Sequence, residues 1–221
     1  MKWRHWLLLP LMLALAAGLG YTVLSLPDQA HGLQGAVADQ LGKSGVSNPV
    51  TAVLLNFRGY DTLLEMVVLT LALLGVWSLG AQPAVHAESI PGPVLDMLTR
   101  LLVPILIMVA AYLLWAGAHA PGGAFQAGAV LGAAGVLLLL TGWRLPPRGA
   151  GYPLRVALVV GVVAFLAVAA LPLPGGRHLL EYNPTYAGVL ILIIEAFATV
   201  SIGVTLAVLF FGADPADKEP R

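Results

Sequence analysis

Three ionisable residues lie close together at the start of an apolar segment, in the stretch NFRGYDTLLE that runs from Asn56 to Glu65. Arg58, Asp61 and Glu65 are spaced so that a helix starting at Arg58 places all three on one stripe. Charge at the centre of a membrane helix costs about 2.5–3.5 kcal/mol, and it is kept where it pairs or lines a path for ions or protons. The spacing therefore predicts an ion or proton path along this stripe.

The same stripe has a structural interpretation. Arg58 and Asp61 can form an interfacial ion pair that ends a helix, and Asp61 can cap the following span with Glu65 in its first turns. Both interpretations can hold together. Glu65 is the stronger functional candidate of the two acids because it lies deeper in the apolar run.

One further acid lies far inside an apolar segment, Glu195 in GVLILIIEAFATVSIGVTLAVLFFG. About ten residues, or about 15 Å of helix, separate it from the start of that segment, and no basic residue is near it in sequence. A carboxyl group in such a place suits a proton relay or a cation site. The alternative is a neutral Glu that hydrogen-bonds Thr199 or a neighbouring helix and only fixes packing.

A turn rich in proline and glycine, HAPGGAFQAG, begins at His119 and ends at Gly128. His119 and Gln126 are secondary candidates at its edge, since a lone histidine at a membrane border is more often a structural hydrogen-bonding group than a proton carrier. Gly128, Gly132 and Gly135 follow at helical spacing and predict close packing of the next helix against other spans.

Composition indicates an integral membrane protein. Of the 221 residues, 59% are hydrophobic and 10% are charged, whereas an ordinary soluble domain carries about 25% charged residues. Acids and bases balance at 11 each, which argues against a nucleic-acid partner. The chain has no cysteine, and its five histidines lack the spacing of metal ligands, so we expect no metal site or cofactor within this chain alone.

The apolar runs predict an all-α membrane protein with about six transmembrane helices. These spans are expected near residues 7–26, 60–80 and 98–118, then a fourth ending near 141, then 156–171 and 185–211. Short cytoplasmic loops collect Lys and Arg, so the charge distribution predicts that the N- and C-termini are cytoplasmic. The basic residues that this orientation places inside are Lys2, Arg4, Arg144, Arg148, Lys218 and Arg221.

Two local questions stay open from the residues. The first run could be a secretory signal peptide, but it is longer than the usual apolar core of one, which favours an uncleaved helix. Residues 50–80 can form one long tilted helix, or a short helix followed by a bend at Gly59. Residues 81–96 carry three prolines and a glycine, which is typical of a linker between two parts of a chain.

Two stretches resemble components of a known family. VTAVLLNFRGYDTLLEMVVLTLALLGV resembles a segment shared by the C-terminal part of the large A subunit of Mrp-type sodium/proton antiporters and by small membrane subunits of membrane-bound hydrogenases. LTRLLVPILIMVAAYLLWAGAHAPGGAFQAGAVLGAAGVLLLL is similar to the Mrp antiporter B subunit. The chain departs from these patterns at Asn56, where the family has Asp, and at Ala124 and Ala127, where it has Gly.

The resemblance implies a fusion of a two-helix A-like segment, residues 1–90, with a four-helix B-like domain, residues 91–221. It implies an accessory subunit of a multisubunit monovalent cation (Na⁺)/proton antiporter in the cell inner membrane, a transporter component and not an enzyme. Its partners would be the other antiporter subunits, the lipid bilayer, Na⁺ and H⁺. The alternatives are a membrane-arm subunit of a hydrogenase-like redox complex and a purely structural assembly subunit.

Overall fold

Every regular element in the described part of the chain is a helix. The computed structural model describes residues 3–26, 32–79, 92–142 and 151–211. Short 3₁₀ turns at Leu41–Lys43 and Leu173–Gly175 and a π-helical turn at Val53–Phe57 separate the longer elements. The α-helices are α1 (Trp3–Leu24), α2 (Gln34–Gln40), α3 (Pro49–Ala52), α4 (Gly59–Ser78), α5 (Pro93–Ala116), α6 (Ala124–Leu140), α7 (Gly151–Ala170) and α8 (Pro184–Phe211). The prediction of an all-α protein is confirmed.

Four of these helices are long and apolar enough to cross a membrane. In the ranges that the structure covers, the candidate spans are Gly59–Ser78, Pro93–Ala116, Tyr152–Gly175 and Pro184–Phe210. Two shorter apolar helices, Leu9–Leu24 and Ala124–Leu140, fall in the regions of the two remaining predicted spans. The chain is therefore a helical membrane protein, and four of the six predicted spans reach full bilayer length.

The chain divides into two compact units, Met1–Ala36 and Val37–Arg221. Helix α1 forms most of the first unit, and α3 to α8 belong to the second. Within the second unit, α8 packs most extensively against α6 and α7, and it also contacts α4 and α5. Its buried face presents Ile191, Ile194, Ala198 and Ile202, which recur every three or four residues and join one hydrophobic core.

Small residues allow α6 and α8 to approach closely. A Cβ atom built on Gly128 would lie 2.8 Å from Cβ of Ile202, and one on Gly135 would lie 2.9 Å from Cβ of Ala207. On Gly132 it would lie 3.1 Å from the carbonyl oxygen of Gly203. The close packing predicted from these three glycines is confirmed, and α8 is the partner.

The chain bends before α4. Helix α3 begins at Pro49 and is capped by Asn48, whose side chain accepts a hydrogen bond from the backbone N–H of Val50 at 3.0 Å. The π-helical turn follows, Arg58 leaves helical geometry at φ −127°, and α4 starts at Gly59. The hydroxyl of Thr62 donates to the carbonyl of Leu54 at 2.7 Å. This bond gives the Leu54 carbonyl a partner where the backbone hydrogen bonds of the helix are interrupted. Of the two alternatives for residues 50–80, the structure shows the broken one.

Helix α5 starts earlier than the apolar pattern predicts. It begins at Pro93 and includes Pro104, so Arg100 lies about two turns inside the helix and not at its start. Arg100 pairs there with Asp96 at 2.9 Å between Nε and Oδ2. The ion pair shields the two charges and lets the helix extend beyond the apolar run. Residues 81–91 of the predicted 81–96 linker and the basic loop at 143–150 lie outside the described residues.

Changing Gly128 to Ala should destabilise the protein by about 1–3 kcal/mol, because the new methyl group would overlap Ile202 on the facing helix. Gly75→Ala in α4 is the matched control, since nothing lies within 4 Å of its added methyl. Denaturant titration of both variants in detergent checks this expectation. Equal free energies of unfolding for Gly128→Ala and Gly75→Ala would contradict the packing described above.

Candidate functional site

Glu195 is buried between α8 and the turn that joins α5 to α6. Its side chain is on the inner face of α8 and the residue is 3% exposed. A Cβ atom built on Gly123 would lie 2.8 Å from Oε1 of Glu195, and one built on Gly117 would lie 3.4 Å from it. The carboxyl group therefore occupies space that Gly123 leaves open on the α5–α6 turn, residues 117–123.

The start of α6 uses this carboxyl group as a cap. The first residues of a helix have backbone N–H groups without partners in the helix. Gly123 precedes α6 in a left-handed conformation, φ +107°, and provides no side chain to bond them. The backbone N–H of Ala124 instead donates to the carboxyl group of Glu195. Glu195 thus reaches from another helix to the positive end of the α6 dipole.

The second carboxyl oxygen of Glu195 is unused. Among the described residues, Oε2 is buried and has no hydrogen-bond partner. The predicted bond with Thr199 exists in a different form, since the Thr199 hydroxyl donates to the backbone carbonyl of Glu195 at 2.7 Å. A buried polar atom without a partner carries a free-energy penalty of about 1–3 kcal/mol, more for a charged group. Oε2 is therefore an atom where a proton or another ligand would bind favourably.

Helix lengths place this group inside the apolar layer. Helix α8 has 28 residues, about 42 Å, whereas the hydrocarbon core of a bilayer is about 30 Å thick. Glu195 comes 11 residues after Pro184, about 16 Å along the axis. If all the excess length lay at this end, Glu195 would still lie about 4 Å inside the hydrocarbon. The α5–α6 turn beside it is then irregular backbone at membrane depth.

A polar segment that runs into the first turn of α3 binds this turn. Side-chain N–H groups of Asn48 donate to the carbonyls of Gly117 at 3.2 Å and Ala120 at 2.7 Å. The hydroxyl of Thr51 donates to the Gly117 carbonyl at 2.5 Å. The backbone N–H groups of residues 47 and 48 both donate to the carbonyl of Ala118 at 3.0 Å. We call residues 44–51 the 44–51 segment.

These bonds meet a requirement of the bilayer. Non-helical backbone is tolerated at membrane depth only where protein or a water-filled cavity surrounds it, because lipid offers no hydrogen bonds. Sequence reasoning missed Asn48 and Thr51. The available signal was Asn48 before Pro49, which marks a helix start, but nothing in the sequence indicates that its amide also reaches the α5–α6 turn.

Asn56 supports the same segment. Its side-chain amide donates to the carbonyl of Ser44 at 3.0 Å, and Ser44 is fully buried. The related family pattern has Asp at this position. A carboxylate has no N–H to donate, so the amide gives this chain a bond to the Ser44 carbonyl that an ionised Asp would lack.

The predicted stripe lies on the surface of α4. Arg58 and Asp61 form the expected ion pair, and their side chains are 67% and 43% exposed. Asp61 lies in the first turn of α4 but does not cap it, since Arg58 is the residue before the helix and no side chain bonds the first N–H groups. Glu65 is exposed, and in the described part of the chain no hydrogen bond or ion pair joins it to another residue. The stripe and Glu195 are thus two separate groups.

Of the two secondary candidates, His119 lies in the α5–α6 turn and Gln126 in the first turn of α6, and both are exposed. Nδ1 of His119 lies 3.0 Å from the hydroxyl of Ser47, so His119 takes part in the contact with the 44–51 segment. Gln126 makes no hydrogen bond to any described residue. Within the described ranges no group of three or more His, Cys, Asp or Glu side chains could hold a metal ion.

Two family models together match most of the chain. Residues 94–212 match the model described as a domain related to the MnhB subunit of Na⁺/H⁺ antiporter. Residues 7–95 match the MbhE model, which describes the E subunit of MBH. A curated relative, the probable K⁺/H⁺ antiporter A/B subunit of Rhizobium meliloti (strain 1021), is 25% identical over 164 residues. That match covers 60% of this chain and 16% of the relative, so the chain corresponds to a small part of it.

Two solved structures have a similar fold. A chain of the membrane-bound sulfane sulfur reductase (MBS), an archaeal respiratory membrane complex, matches with a TM-score of 0.72 over 95% of this chain and 97% of that chain. A chain of the Mrp complex from Dietzia sp. DQ12-45-1b matches with a TM-score of 0.67 over 98% of this chain and 27% of that chain. Both are 24% identical in sequence, which makes the likeness one of fold.

Replacing Asn48 by Ala should cost more stability than replacing Asn183 by Ala. Both residues cap a helix that starts with proline, since Asn183 accepts a bond from the N–H of Thr185 at 3.1 Å. Asn48 additionally donates to the carbonyls of Gly117 and Ala120. Its loss leaves Gly117 with the Thr51 bond alone and Ala120 unpaired, and an unpaired buried carbonyl costs about 1–3 kcal/mol. Free energies of unfolding in detergent should differ by about this amount. Equal losses of unfolding free energy in the two variants would show that the hydrogen bonds of Asn48 to the α5–α6 turn contribute no stability beyond helix capping.

Proposed function

The chain belongs to the family of domains related to the MnhB subunit of Na⁺/H⁺ antiporters, and we propose that it is an accessory membrane subunit of a multisubunit monovalent cation/proton antiporter of the Mrp type. The observation that carries the proposal is the buried carboxyl group of Glu195, with one oxygen at the start of α6 and the other unpartnered. An acid is retained at such depth where ions or protons pass. The chain is a transporter component and not an enzyme.

Domain organisation follows the two family matches. We infer that residues 1–90 are an A-like segment and residues 91–221 a B-like domain, joined in one chain. The hydrogen bonds of Asn48 and Thr51 to the α5–α6 turn support this arrangement, because they connect the A-like part to the B-like part at the depth of Glu195. The A-like part then helps to seal the site.

The orientation in the bilayer is also a proposal. Six spans with both termini in the cytoplasm, in the cell inner membrane, fit the distribution of Lys and Arg along the sequence. In this arrangement the 44–51 segment and the α5–α6 turn lie in the outer half of the membrane. Their mutual hydrogen bonds support placing them on the same side of the membrane.

The stripe on α4 fits a path that a neighbouring chain completes. Glu65 lies about 9 Å along α4 and is exposed on the isolated chain, beside the exposed Leu64 and Val68. Arg58 and Asp61 stand at the entrance of the same helix as an ion pair. We propose that another antiporter subunit covers this face and that Na⁺ or H⁺ passes Glu65 at the junction.

The family match of residues 7–95 favours a second candidate, a membrane-arm subunit of a redox complex. The same acids would then serve ion movement that electron transfer drives on other chains. Purifying the intact complex separates the two candidates, because nickel-iron or other redox subunits would copurify only in the second case.

Replacing Glu195 or Glu65 by Gln should abolish sodium- or potassium-dependent pH change in everted membrane vesicles, because the amide cannot bind and release a proton at these positions. Glu181→Gln is the matched control, since Glu181 is exposed in the loop before α8 and accepts a bond from the N–H of His178 that Gln can still accept. Full antiport with a normally assembled complex would exclude the tested carboxyl group from the path. Loss of activity only through loss of assembly would favour the purely structural alternative.

A further inference from the structure

We propose that the ligand of Glu195 is a proton bound at Oε2, and that this site does not coordinate Na⁺ or K⁺. The inference rests on the proposed function and specifies which of the two transported species Glu195 handles. It follows from the oxygen atoms available around the carboxyl group and from the charges around them.

Three carbonyl oxygens of the neighbouring α5–α6 turn already accept hydrogen bonds from the protein. A site for a hard cation needs several oxygen ligands, and in a membrane protein exposed backbone carbonyls of broken helices commonly supply them. On the α5–α6 turn, the carbonyl of Gly117 accepts from Asn48 and Thr51, and that of Ala120 accepts from Asn48. The carbonyl of Ala118 accepts two backbone N–H groups. The carbonyls of Gly117, Ala118 and Ala120 are therefore each paired with a donor from the protein.

The local potential is also unfavourable to a metal cation. The carboxyl group stands at the amino end of α6, where the helix dipole is positive and the backbone N–H of Ala124 points at it. No second carboxylate faces it in the described part of the chain, so a bound Na⁺ would have only one negative ligand. A proton needs a single oxygen.

Other charged and titratable side chains lie away from Glu195. Helix α6 contains none, and those of α5 and α7 sit at the opposite ends of these helices or on their exposed faces. Those of α4 and of the loops are exposed or half-exposed, except for Tyr182. Burial raises the pKa of Tyr182 to about 12, so this residue stays neutral at physiological pH. Asp39 on α2 and Tyr186 on α8 are also exposed. The groups concerned are Asp39, Lys43, Arg58, Tyr60, Asp61, Glu65, Asp96, Arg100, Tyr112, His119, Tyr152, Arg155, Arg177, His178, Glu181 and Tyr186.

The geometry distinguishes the two oxygens. Oε1 faces Gly123 and the start of α6, where the N–H of Ala124 can hold the group in both protonation states. Oε2 takes up H⁺ from water, which converts the carboxylate to a neutral acid, and returns H⁺ to water on release. Uptake removes the one buried charge of the site, and the new O–H becomes a hydrogen-bond donor.

Infrared difference spectroscopy of the purified complex tests this inference. The C=O stretch of a protonated carboxylic acid should rise and fall with pH in the wild type and in Glu65→Gln, and its Glu195 component should be missing in Glu195→Gln. Exchanging choline chloride for NaCl or KCl at constant ionic strength should leave the midpoint of that component unchanged. A cation competing for the same oxygen would lower the midpoint by about one pH unit for each tenfold rise in its concentration.

The outcomes separate this inference from the proposed function. A midpoint that falls with Na⁺ or K⁺ would overturn proton-only binding, even if Glu195→Gln abolishes antiport. A Glu195 band that is absent, or constant over the whole stable pH range, would show that no proton is exchanged and would also overturn it. A cation-independent midpoint together with normal antiport in Glu195→Gln would uphold the proton site and remove it from the transport path.

Discussion

The α5–α6 turn is irregular backbone in a region where lipid cannot satisfy it, and much of the second unit is arranged around that constraint. Its carbonyls receive donors from Asn48 and Thr51, and the open N-terminus of α6 receives the carboxyl group of Glu195. Each donor or acceptor comes from an element distant in sequence. The turn is thus where the two parts of the chain and the central helix α8 are joined by polar contacts.

Close helix packing makes this arrangement possible. Gly128 and Gly132 let α6 lie against α8 at a distance that a side chain would forbid, which brings the start of α6 beside Glu195. Gly123 then leaves space for the carboxyl group itself, and Gly117 lets the turn fold closely onto Gly123. Apolar packing alone would not place an acid here, so the small residues and the acid have to be understood together.

Sequence reasoning found the features that a single segment displays. Glu195 was evident as one acid in an apolar run, and the glycines of α6 indicated close packing, because both signals need only local spacing. The bonds from the 44–51 segment to residues 117–120 join parts of the chain about 70 residues apart. Polar residues near Asn48 have the composition of a surface loop, and no periodicity shows what they contact. The exposure of Glu65 likewise depends on how α4 is rotated against α7 and α8, which neighbouring helices decide.

The exposed acid on α4 makes this chain incomplete in a bilayer by itself. Glu65 lies between Leu64, Val68 and other exposed apolar side chains on a helix of spanning length, so an isolated chain would present a carboxylate to hydrocarbon. That placement costs roughly 2.5–3.5 kcal/mol at the centre of a span and less near its end. A neighbouring protein chain or a hydrated cavity at this face removes the cost. The buried acid on α8 needs no such partner, because the chain itself encloses it. The cost of exposing a carboxylate to hydrocarbon therefore explains both placements: Glu195 lies in the interior of this chain, and Glu65 lies at its boundary with a neighbouring chain or cavity.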